Sequence, residues 1–129
     1  MGSYTIGRTV TLGFAEAEQR ITDELAKVGF GILTVIDVKE TLKKKLDLDV
    51  TPYRILGACN PHFASRALAV EPQIGALLPC NVVVRVDDAG KTMVEFMDPN
   101  AVLQLVARPE VDGIAAEVRA RLVRVMDAL

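Results

Sequence analysis

The chain has 129 residues, half of them hydrophobic, with 17 acidic against 15 basic side chains, one histidine, two cysteines and no tryptophan. A chain of this length buries roughly two thirds of its unfolded surface in one core, and its apolar content excludes a disordered polymer. A net charge of −2 and a pI near 5.4 leave no basic footprint for a phosphate backbone, which argues against nucleic acid as a partner.

The longest apolar runs, 29–36 and 81–84, fall far short of the roughly 20 residues of a membrane-crossing helix, so no membrane partner is expected. The opening Met1-Gly2-Ser3-Tyr4 lacks the basic and apolar regions of a signal peptide, which makes the cytoplasm the expected compartment. Two cysteines in that reducing setting read as free thiols, metal ligands or redox groups rather than a structural disulfide.

Residues 4–12, rich in Thr, Val and Ile, read as a strand; Arg8 shares a face with Ile6, Val10 and Leu12, which suits an edge from which it reaches water. Phe14, Ala17, Ile21, Leu25 and Val28 then recur at helical spacing, and Gly29 ends that helix. Residues 30–36 form an apolar strand, and Asp37 stands three residues before Glu40 in the pattern of a capping box. In the short helix that follows, Leu42 and Leu46 are expected to face inward while Lys39, Lys43, Lys44 and Lys45 cover a solvated side. Pro52 breaks the chain before a strand over 53–59. Asn60 supplies an N-cap side chain and Pro61 a first helical residue for a helix over 61–70.

Pro72 restarts a short helical segment with Ile74, Leu77 and Leu78 apolar, and Pro79 ends it. Strands over 81–86 and 92–97 flank the hairpin signal Asp87-Asp88-Ala89-Gly90. Met93, Glu95 and Met97 share one face of the second strand, and the two methionines are expected to cover core beneath a helix. Asp98-Pro99 caps a short turn, and Pro109 opens a last helix with Val111, Ile114, Val118, Leu122 and Val125 on one stripe. The order β-α-β-α-β-αα-β-β-α, without internal repeat, predicts a single α+β domain over 1–129 whose curved, mainly antiparallel sheet packs against helices. A ferredoxin-like plait is the alternative.

The chemistry worth testing lies around the cysteines. Cys59 ends one strand where a helix begins, a position whose unpaired N–H groups favour a thiolate, and His62 follows three residues on. Cys80 begins the next strand, so if the two strands are antiparallel neighbours the sulfurs approach each other. Such a site suits a metal held by Cys59, Cys80 and His62, dithiol chemistry, or a persulfide. Each cysteine alone also reads as a small buried hydrophobe, Asn60 as a cap, and Arg54 as either an anion clamp or a residue on a solvated sheet face. Phosphate-binding, dinucleotide and nucleophile-elbow glycine motifs are missing, and one histidine excludes a His-pair metal site within one chain.

The stretch from Pro52 through Gly57-Ala58-Cys59-Asn60-Pro61, then Glu71-Pro72-Gln73-Ile74-Gly75 and Leu77-Leu78-Pro79-Cys80-Asn81-Val82, resembles the domain-of-unknown-function 302 family. Phe30-Gly31-Ile32-Leu33-Thr34 and Ile36-Asp37-Val38 resemble its upstream motif. The resemblance implies a small bacterial or archaeal protein with a curved antiparallel sheet gripping helices, a dimer, and no established activity. Both cysteines fall inside the motif, whereas His62 falls at a position the resemblance does not fix.

Two functions stand in competition. One is a binding or assembly domain, homodimeric, with a ligand site at the strand ends built from Cys59, Asn60, Cys80, Asn81 and Arg54 for a small molecule or a sulfur-carrying group. The other is a thiol-dependent module using Cys59 and Cys80. Neither names a cofactor, and whether the protein is an enzyme stays open between them.

Overall fold

The computed structural model describes residues 4–129, in which the expected elements form in the expected order. They are β1 (Thr5–Val10), α1 (Phe14–Lys27), β2 (Gly31–Asp37), α2 (Val38–Leu46), β3 (Tyr53–Cys59), α3 (Pro61–Val70), β4 (Cys80–Val86), β5 (Thr92–Met97), α4 (Pro99–Leu103) and α5 (Pro109–Asp127). Two short 3-10 segments join them, Pro72–Leu77 before β4 and Gln104–Val106 after α4. Prolines at both flanks of the first leave too few residues for a regular α-helix, and the tighter winding fills the gap.

The sheet order is β1-β5-β4-β3-β2, and every neighbouring pair is antiparallel. Strands β2 to β5 therefore meander, and β1 closes on the far side of β5. The order excludes the ferredoxin-like plait, in which strands joined through a helix are parallel and separated by an inserted strand, whereas here β2 and β3, and β3 and β4, are joined through helices and are direct antiparallel neighbours. The fold is a single α+β domain. Between Ile32 and Thr34 the register of β2 slips against β3, leaving Leu33 67% exposed on a bulged edge.

The pleat decides what each strand buries. Cys80, Val82 and Val84 of β4, Thr92, Val94 and Phe96 of β5, and Leu56 and Ala58 of β3 turn inward, while the intervening side chains do not. Against that face pack Ala17, Ile21 and Leu25 of α1 and the stripe of α5 from Val111 to Met126. Each large side chain sealed there contributes about 1.5–3 kcal/mol through its removal from water.

Two expectations change. Met93 lies opposite Val94 and Phe96 in pleat parity, so it is half-buried on the face turned away from α1 and α5, not beneath a helix, whereas Met97, at the end of the strand, does pack against the core. Leu46 is 68% exposed, because α2 buries no side chain and only caps the sheet's end. The lysines of that helix are exposed as expected, and two of them also reach the following loop: Lys39 Nζ donates to the Val50 carbonyl at 2.7 Å, and Lys43 meets Asp47 at 2.8 Å and Asp49 at 3.2 Å. Arg8 behaves as its edge position implies, exposed on β1 and donating to the Met126 carbonyl at 3.2 Å near the negative end of α5. No helix among the described residues is long and apolar enough to cross a membrane.

Candidate functional site

At Cys59 the chain leaves β3 and turns into α3. Asn60 makes that turn: its backbone is extended, and its Oδ1 accepts from the N–H groups of His62 at 3.0 Å and Phe63 at 3.4 Å. It is 4% exposed, so the cap is sealed under protein rather than shared with water. Replacing it, Asn60→Ala, should lower unfolding free energy by about 1–2 kcal/mol, whereas Asn60→Ser keeps a neutral accepting oxygen and more of the stability. Urea melts of the two variants read that difference.

Between the strand ends and the helices lies a cavity of about 330 Å³. Phe30 and Ala58 floor it, Phe63 and Ala67 of α3 wall one side, Leu78 and Cys80 another, and Leu103, Ile114 and Val118 close it from α4 and α5. The space exists because small residues, Ala58, Ala64, Ala67 and Gly75, stand where a packed interior would carry larger ones. Phe63 is held from outside, with the Arg121 guanidinium 4.9 Å and the Arg66 guanidinium 5.7 Å from its ring centre. Arg121 is itself fixed by a 2.9 Å bond from Nη1 to the Val28 carbonyl, and Arg66 by Glu117 at 3.0 Å.

Both cysteines border the cavity, yet they are not brought together as a pair. The cross-strand partner of Cys80 is Ala58, and that of Cys59 is Gly31. This offset of one residue puts Cys59 and Cys80 on opposite sides of the pleat, and both remain free thiols. Cys80 is buried, and that burial, followed by the nearby Cys59, pushes its thiol up to about 11. It is therefore protonated near neutral pH.

The ligand set expected of Cys59, Cys80 and His62 is not assembled. No group of three or more His, Cys, Asp or Glu side chains able to hold a metal occurs among the described residues. The physical reason is again register: Cys59 and Cys80 diverge, and His62 is exposed on the first turn of α3.

Arg54 and Asn81 lie outside the cavity. Arg54 sits five residues from Cys59 along β3, about 16 Å away. There Nη1 meets Glu18 at 3.1 Å and Nε meets Asp37 at 3.3 Å, so two carboxylates of the chain itself already neighbour its guanidinium. Asn81 is exposed on the opposite sheet face, across from Gly57. Of the expected ligand residues, Cys59, Asn60 and Cys80 remain at the site. Phe63 joins them from the first turn of α3, and Phe30, Leu103 and Val118 from distant positions; the signal for such a space was the run of small residues Ala64, Ala67 and Gly75 on the cysteine-to-cysteine excursion.

The family described as "Domain of unknown function DUF302" matches residues 6–129. No curated protein matches the chain. Among solved structures, the crystal structure of an uncharacterized conserved DUF302 protein from Bacillus stearothermophilus is similar at a TM-score of 0.90 and 32% sequence identity, covering 98% of each chain. The family pattern and the shared fold run together through the sheet, the helical excursion and α5, and this chain belongs to the DUF302 family.

Proposed function

We propose that the domain binds a small, largely apolar molecule in the cavity at the ends of β3 and β4. The observation that supports this reading is the cavity itself: about 330 Å³ of space walled mainly by aliphatic and aromatic side chains, at the small end of the range for ligand pockets. An apolar space of this kind loses dispersion contacts when empty, and a fitting apolar ligand restores them. Asn60 and the two sulfurs are the polar contributions to its wall, enough to orient a ligand with one or two polar atoms.

The thiol-dependent alternative has less support, because Cys80 is held as a neutral thiol and does not share a sheet face with Cys59. A neutral probe tests the binding reading. N-phenyl-1-naphthylamine should show a saturable rise in fluorescence with one site per chain. Ala64→Phe, at a half-buried position on the wall, should weaken that binding at least tenfold while leaving the far-UV spectrum and melting temperature near those of the parent. Linear, non-saturating fluorescence with the parent protein would remove the proposal.

A further inference from the structure

One end of the cavity carries polar groups that the fold itself leaves unspent. Asn60 uses its Oδ1 to cap α3, but its Nδ2 donates to nothing among the described residues. Every fully sealed side-chain nitrogen and oxygen among those residues has a partner, so this amide nitrogen is not sealed. Asn60 is 4% exposed and lines the cavity, and the open space its amide meets is the cavity. Arg121 stands beside it. It follows the wall residue Val118 by three positions on α5, and its guanidinium lies against the ring of Phe63, another wall residue. Half-buried, it spends one N–H on the Val28 carbonyl and meets no carboxylate among the described residues.

Gly29 brings the two groups to one point. Its φ is +89°, in the left-handed region, and the place a Cβ would take there stands 2.9 Å from Asn60 Nδ2 and 3.5 Å from Arg121 Nη1. The glycine thus leaves a gap on which an amide donor and a cation converge. We propose that the occupant of the cavity is an apolar monocarboxylate, its hydrocarbon part inside the cavity and its carboxylate accepting from Asn60 Nδ2 and the unspent N–H groups of Arg121. This inference rests on the binding reading above and adds the charge of the ligand.

The donor set selects among head groups. An alcohol accepts from one donor and leaves the half-buried cation without a counter-charge, and an amine sets a second cation beside it. A carboxylate offers two coplanar oxygens, one for each donor, and hydrogen bonds to an ionised group are the stronger kind. A phosphate monoester carries close to two charges and finds only one cation free, because Arg66 is held by Glu117. The helix ends nearby oppose each other: α1 finishes beside Val28 with partial negative charge, which Arg121 meets, and α3 begins after Asn60 with partial positive charge. The sign of the place is therefore set by Arg121.

Displacement of N-phenyl-1-naphthylamine from the whole chain tests it, with decanoate, 1-decanol and decylamine as probes of one chain length. Decanoate should displace the dye at a concentration about tenfold or more below that of the alcohol, and the amine should be weakest. Arg121→Gln keeps an N–H for the Val28 carbonyl but removes the charge; it should weaken decanoate about tenfold or more and leave 1-decanol within about twofold of the parent. Arg121→Lys should recover part of that loss. Asn60→Ser keeps an oxygen for the cap and removes the amide donor, so it too should weaken decanoate and not the alcohol; it carries the comparison if melting shows that Arg121→Gln does not fold. Dye that fails to bind saturably removes the binding reading and this inference with it. Dye and alcohol that bind while decanoate is no better overturn the carboxylate alone, as does equal weakening of decanoate and 1-decanol in the variants.

Discussion

Gly57→Val is expected to lower the unfolding free energy of this domain by about 3 kcal/mol or more, a large share of the 5–15 kcal/mol typical of a whole domain. The cause is space. Gly57 lies in β3, between β2 and β4, buried although it belongs to the face away from the helices, because Thr34 of β2 and the Pro79 ring close over it. A Cβ at this position would meet Thr34 Oγ1 and, at 2.8 Å, Pro79 Cγ. The threonine hydroxyl is able to rotate away, but the proline ring moves only with the backbone that leads into β4 and rims the cavity.

Gly57→Ala should therefore cost about 1–3 kcal/mol, the range for overpacking by a single group, and the valine more. Thermal and urea unfolding measure both. Combining Gly57→Ala with Thr34→Ala should recover only part of the loss. Complete recovery in that double variant would show that the proline is no obstacle, and an unchanged midpoint for Gly57→Ala would show that the site has slack.

Raising the pH is expected to weaken the fold through Cys80. Its thiol titrates near 9.0 when free and is pushed up to about 11 in the folded protein, mainly by burial. Between those values the unfolded chain has released the proton and the folded chain still holds it, so unfolding is favoured increasingly as pH climbs from 9 towards 11. Below about pH 9 both states are protonated and the contribution is constant. Two units of separation correspond to about 2–3 kcal/mol lost across that window.

Lysines and tyrosines also titrate there, so the informative quantity is the difference between the parent and Cys80→Ala. The parent's urea midpoint should fall more steeply than the variant's from pH 9 to 11, although the variant starts lower because it leaves a small void. Parallel curves would mean that the Cys80 thiol meets water in the folded state. Alkylation at neutral pH supplies a second reading: Cys59 is modified first, and Cys80 only after unfolding.

Much of the architecture was legible because local and global signals agree. Asp37, Asn60 and Asp98 each cap a helix with a side-chain oxygen, as their places before β-to-α junctions imply, and the spans of β3, α3 and β5 follow from prolines and alternation. What stayed hidden depends on parity and register between strands. Whether Met93 faces helices or the open side turns on which of two alternating sets is the core set, and β5 alone presents two apolar sets, Val94 and Phe96 against Met93 and Met97. The cysteines illustrate the same limit: their strands are antiparallel neighbours, as supposed, but a single residue of offset separates their side chains. The cavity was least visible, since it is made by side chains that are too small, and its one trace in the sequence is the scatter of Ala64, Ala67 and Gly75.

The sheet order also has a consequence for how the chain assembles in time. Thr5 pairs with Met97, and Val10 with Thr92, so the first strand has no place to dock until β5 exists. Strands β2 to β5, by contrast, meet through successive neighbours and are able to form while the chain is still being extended. Until β1 arrives, the backbone edge of β5 is open to any other strand that reaches it. Contacts of such high sequence separation are the slow ones in folding, because a long loop must be closed before they return any stabilisation. The pairing of β1 with β5 thus carries the highest sequence separation in the sheet, and the edge it covers is the one most exposed to wrong pairing while it is unmade.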